Sequence, residues 1–92
     1  MKVDVKKELA DAKELMSAIQ NDSTVPRNIR AVMSDALNKV ASLDKPDDLG
    51  VAIGTAIYLM EDISGDINMP SHTRTEIWTV ISQLEAAREK IK

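Results

Sequence analysis

Apolar residues recur along this chain at helical spacing in four separate stretches. Val5, Leu9, Ala12, Met16 and Ile19 advance by four, three, four and three residues, which is one stripe of an amphipathic helix. Lys6, Lys7, Asp11, Lys13 and Glu14 fall mostly outside that stripe, and Asp4 and Glu8 near its start complement the positive end of the helix dipole. The pattern stops at Gln20, where Asn21, Asp22, Ser23 and Thr24 offer side chains that compete for backbone hydrogen bonds. Pro26 fits the first helical position, where its missing N–H costs nothing, and it biases Val25 toward extended backbone. A second stripe follows through Ile29, Met33, Ala36, Val40 and Leu43, flanked by Val32 and Leu37, with Asp35 and Lys39 spaced as an i,i+4 pair.

The second helix is expected to end by Asp44, and Lys45, Pro46, Asp47 and Asp48 to form a turn whose acids cap the next helix. The third segment places Leu49, Ile53, Ala56, Met60 and Ile63 on one stripe, with Val51, Ala52, Ile57 and Leu59 beside it. No charge occurs from residue 49 through 60, so this helix is either the most buried of the set or covered on one face by a partner. Gly50 and Gly54, one turn apart, suit a close approach by a neighbouring backbone, and Gly65 suits a left-handed cap. The fourth segment begins at Pro70 or Ser71. Ile77, Ile81, Leu84 and Ile91 form its stripe with Arg88 in line, Trp78 and Val80 widen the face, and Lys90 and Lys92 suit its C-terminal end.

Displacing the chain on itself by 44 residues superposes the two halves without a gap. Ala12, Leu15, Met16, Ile19, Asp22, Pro26 and Arg30 meet Ala56, Leu59, Met60, Ile63, Asp66, Pro70 and Arg74. These are seven identities over 32 pairs, where composition alone gives about two. The expected architecture is therefore all-α, an up-and-down four-helix bundle built from two similar helical hairpins. It forms a single domain over residues 1–92, with hairpins at about 4–43 and 47–91.

Pro26, Ile29-Arg30 and Ala36-Leu37 also resemble the P-x-x-[VI]-R…A-L pattern of HEAT-type repeats, with Met33 departing from the small residue preferred there. The pairing of TVPRNIR with NMPSHTR, followed by IWTVISQLE, resembles the small archaeal proteins grouped as uncharacterised protein family 0147, over about residues 15–88. That resemblance implies a four-helix domain of unknown activity and brings no catalytic residues with it.

Composition narrows the chemistry. The 92 residues are 43% hydrophobic with one Trp, one Tyr and no Phe, so Ile, Leu, Val, Met and Ala must fill the core. The absence of cysteine removes disulfides and thiolate chemistry. The N-terminal stretch interleaves lysines and acids and lacks the apolar run of a signal peptide, and no segment is long and apolar enough to span a bilayer. A soluble, cytoplasmic protein is expected. A net charge of −3 argues against nonspecific nucleic-acid binding.

The candidate surface is the pair of polar corners. In an up-and-down bundle both lie at one end, which gathers Arg27, Asn28, Arg30, His72 and Arg74 near Asp22 and Asp66. These residues form either an anion- or partner-binding face or internal locks, with Asp22 pairing to Arg30 and Asp66 to Arg74. His72 and Glu76 have ligand spacing, but a closed zinc site needs four ligands and the chain has one histidine. Ser71 beside His72 lacks a third orienting group, and no phosphate-binding or dinucleotide motif occurs. No catalytic residue, metal or cofactor is expected.

The function expected is non-enzymatic: protein–protein interaction or a structural helical domain, through a protein partner or a second copy of the chain. The alternative is nucleic-acid or anion binding through the arginine-bearing corners, where residues 26–45 carry a local charge of +2.

Overall fold

The computed structural model describes residues 5–41 and 46–91. Four helices, α1 (Lys6–Gln20), α2 (Arg27–Ala41), α3 (Pro46–Ile63) and α4 (Ser71–Lys90), make an all-α bundle with no strand among the described residues. Each helix packs on two neighbours: α1 on α2 and α4, and α3 on the same two. The diagonal pairs do not approach, which is the square arrangement of an up-and-down bundle. The molecule extends 43 × 20 × 19 Å. Asp4, Leu43, Asp44, Lys45 and Lys92, and the capping expected of the Asp47 and Asp48 side chains, lie outside what is described.

The core follows the 44-residue repeat. Ala12 and Ala56, Met16 and Met60, Ile19 and Ile63, Val25 and Met69, Met33 and Ile77, Ala36 and Val80, and Val40 and Leu84 are buried as matched pairs. Burial of a Met or Ile side chain contributes roughly 1.5–3 kcal/mol, so these matched positions hold the bundle together.

Several expectations need correction. Helix α3 begins at Pro46 rather than after a 45–48 turn, because proline is favourable in a first helical turn. Pro26, expected at the first helical position, sits one residue before α2. Of the two starts expected for α4 it is Ser71 that holds, since Pro70 has φ −59° and ψ 146°, an extended ψ incompatible with a first helical residue. Gly65 is not a left-handed cap, since no described glycine has positive φ. The α3–α4 corner instead turns through Asp66, whose N–H donates to Ile63 O at 3.0 Å. No backbone closes on Gly50 or Gly54. The space beside them holds side-chain ends, Ile91 Cδ1 from just past the end of α4 and Arg88 Nη1 from its last turn.

On α4 the buried set is Thr73, Ile77, Val80, Ile81, Leu84 and Ala87, so Ala87 takes the place expected for Arg88 and Trp78 lies outside the core. On α3, Val51 lies outside it too. Asp35 and Lys39 both point to solvent and do not close an ion pair.

Candidate functional site

The two corners come together at one end of the bundle, as their topology requires. In each, an aspartate side chain organises the loop. Asp22 Oδ1 accepts from Thr24 N at 2.9 Å and from Thr24 Oγ1 at 2.6 Å. At the equivalent place Asp66 Oδ1 accepts from Asn68 N at 2.8 Å. These are Asx turns, in which a short carboxylate satisfies a backbone donor two residues on. The backbone matches as well: Val25 N donates to Asp22 O at 3.1 Å, and Met69 N to Asp66 O at 3.2 Å. Val25 and Met69 then plunge into the core.

The second carboxylate oxygen of each aspartate faces the other corner. Asn28 Nδ2 donates to Asp66 Oδ2 at 3.0 Å, and His72 Nε2 stands 3.5 Å from Asp22 Oδ2. Asn28 and His72 are 44 residues apart, as are Asp22 and Asp66. The contacts are therefore one interaction made twice by a pseudo-twofold pair, each hairpin reaching into the other's loop. Hydrogen bonds to the ionised forms hold both carboxyls below the ordinary carboxylate range. For Asp22 the cause is chiefly the Thr24 hydroxyl and N–H, and for Asp66 the Asn68 N–H and then the Asn28 amide.

The arginines do not pair with the aspartate carboxylates. Arg30 Nε donates to Val25 O at 3.0 Å. Arg74 Nε donates to Ser64 O at 3.1 Å, and its Nη2 to Asp66 O at 2.8 Å. Both guanidinium groups are partly buried and tie down carbonyls that the turn leaves without helical partners. Of the five candidate residues, Asn28, Arg30, His72 and Arg74 are thus engaged within the corners, while Arg27 projects from the first turn of α2, exposed. Among the described residues no group of three or more His, Cys, Asp or Glu side chains is placed to hold a metal ion.

A second feature lies on the outer surface. Among the described residues the large exposed hydrophobics are Val51 (71% exposed), Tyr58 (67%), Ile67 (91%) and Trp78 (48%). All four belong to the second hairpin. Their counterparts 44 residues earlier are Lys7, Glu14, Ser23 and Ser34, every one polar. The outer face of α1 is the ordinary charged surface of a solvated helix, whereas Val51 and Tyr58, two turns apart, make the same face of α3 apolar. Periodicity did not reveal this face, because α3 is apolar on all sides between 49 and 60. The repeat register carried the signal, since it sets Val51 and Tyr58 against Lys7 and Glu14.

Among the described residues no helix is long and apolar enough to cross a membrane. Related chains share both length and fold. A UPF0147 protein of Methanocaldococcus jannaschii, MJ1419, is 46% identical over 74 residues, 80% of this chain and 77% of that one. One from Archaeoglobus fulgidus is 42% identical over 80 residues, covering 87% and 88%. The crystal structure of MMP1188, a protein of unknown function, superposes with a TM-score of 0.80 at 41% identity over 92% of this chain and 94% of that chain. A UPF0147 protein from Thermoplasma acidophilum gives 0.81 at 31% identity over 90% and 96%. With the model of Uncharacterised protein family (UPF0147) matching residues 1–87, the chain belongs to that family.

Proposed function

We propose that this chain is a non-enzymatic, cytoplasmic docking module that presents the outer face of its second hairpin to another protein. The observation that supports this most is the difference between the halves. Two hairpins share a core and a corner design, yet only one exposes Val51, Tyr58, Ile67 and Trp78. The scaffold does not require those residues, because Lys7, Glu14, Ser23 and Ser34 occupy the same positions of the other copy. Exposed Trp and Tyr are the side chains most often found at the energetic centre of protein interfaces.

Nucleic-acid binding through the corners has less support. Arg30 and Arg74 hold loop carbonyls, and Arg27 alone makes no basic patch. A photo-crosslinking residue placed at position 58, and separately at the equivalent position 14, tests the docking role in cells. Adducts to another polypeptide are expected from position 58 and not from 14; equal yields from both, or none from either, would remove this function.

A further inference from the structure

We infer that the partner of this face is a cationic amphipathic segment, a helix with an apolar stripe flanked by Lys or Arg. The inference rests on the docking role above and adds the partner's chemistry. Val51 and Tyr58 lie about 10 Å apart along α3, a spacing that suits apolar anchors at i and i+7 of a helix laid alongside.

Charge decides what surrounds those anchors. Residues 6–41 carry a net +1, and residues 46–91 a net −5. The apolar face therefore lies on the strongly acidic half. Next to it, at the C-terminal end of α3, Glu61 and Asp62 are both exposed and the last turn holds no basic residue. Two carboxylates there oppose the helix dipole, an arrangement that costs folding stability and favours a cation. Their counterparts in the first hairpin are Ser17 and Ala18, so these acids, like the apolar residues, are peculiar to the copy that carries the face. Of the three basic side chains in residues 46–91, none sits at these acids: Arg74 is held by loop carbonyls, Lys90 pairs with Glu8 on α1, and Arg88 reaches α3 at Gly54, two turns before Glu61.

A second copy of the chain is a poorer occupant. Two identical faces related by a twofold axis would set one acid-rich hairpin, with its exposed Glu61 and Asp62, against another, and like charges across an interface cost affinity.

The experiment uses two synthetic amphipathic helical peptides with the same leucine stripe, one with lysines and one with glutamates at the polar positions. Binding to the full chain is measured by calorimetry, and Trp78 emission reports contact. The lysine peptide is expected to bind saturably, to shift Trp78 emission to the blue, and to weaken as NaCl is raised. The glutamate peptide is expected not to bind. The variant Val51→Lys/Tyr58→Glu introduces the residues of the first hairpin, so its circular dichroism and melting temperature should match the parent while binding is lost. Glu61→Ser/Asp62→Ala should weaken the lysine peptide several-fold and leave the fold intact.

Equal affinity for both peptides overturns the cationic partner and leaves a docking face. Sedimentation of a dimer that Tyr58→Glu dissociates does the same, in favour of a second copy. No binding of either peptide by a strictly monomeric chain overturns both the partner and the docking role.

Discussion

At the corners, residues differ in what their side chains stabilise, and the distinction is testable with acid. Asp22 has a folded pKa held below its ordinary value by the Thr24 donors, with His72 adding to the effect. A depressed carboxylate contributes stability that is fully present above the unfolded pKa and is lost as pH falls through the folded one. Asp22→Asn keeps an oxygen to accept from Thr24 but cannot titrate. Its melting temperature should therefore fall less steeply than the parent's from about pH 4 downward, and parallel curves in thermal scans across that range would contradict the assignment. The proline, aspartate and arginine of each corner were legible in the sequence because duplication repeats them. Their partners were not. An aspartate eight residues before an arginine invites an ion pair on paper, whereas the turned loop aims its carbonyls at the guanidinium and leaves the carboxylate to the opposite hairpin.

At the level of the helix, α3 shows why an apolar run is hard to read. Period 3.6 located all four helices and the core stripe of α3, Ile53, Ala56, Met60 and Ile63, but it could not tell that helix's outer face from its flanks, because nothing charged interrupts residues 49–60. Val51 beside the core stripe and Trp78 widening it are what periodicity suggests, and the sequence signal that both face solvent is the repeat register, which sets Lys7 and Ser34 at their positions. The glycines of α3 were misread for a related reason. A helical glycine suggests a close backbone, but what lies beside Gly50 and Gly54 is the flexible end of Ile91 at 3.7 Å and of Arg88 at 3.8 Å from an added Cβ. Those are ordinary contacts, so alanine meets no obstacle there. Each of Gly50→Ala and Gly54→Ala should stabilise the protein by roughly 0.5–1 kcal/mol, through lower backbone entropy in the unfolded chain. Urea unfolding with an unchanged m-value measures it, and a loss of stability would show that the α3–α4 contact is tighter than its geometry implies.

For the molecule as a whole, duplication makes each hairpin the control for the other. The matched core pairs and the reciprocal corner contacts fix a pseudo-symmetric frame, and charge breaks that symmetry, with the −5 of residues 46–91 outweighing a positive balance in the rest of the chain. Carboxylates crowded on one side of a small bundle repel one another, and salt screens that repulsion within about 10 Å at 0.1 M. The attraction it also screens, Lys90 with Glu8, is a surface contact of the kind worth little. Repulsion should win. Melting temperature at pH 7 is expected to rise as NaCl goes from about 10 to 200 mM, where the screening length shortens several-fold, and a fall would mean that attraction dominates. The same salt must act in the opposite direction on the complex with a cationic segment, since it screens the attraction between the acidic face and the partner's lysines. On the proposed docking role, an acid excess that costs stability in the free chain is expected to favour the complex. Glu61→Ser/Asp62→Ala then has two linked consequences: a protein more stable at low salt than its parent, and a weaker complex.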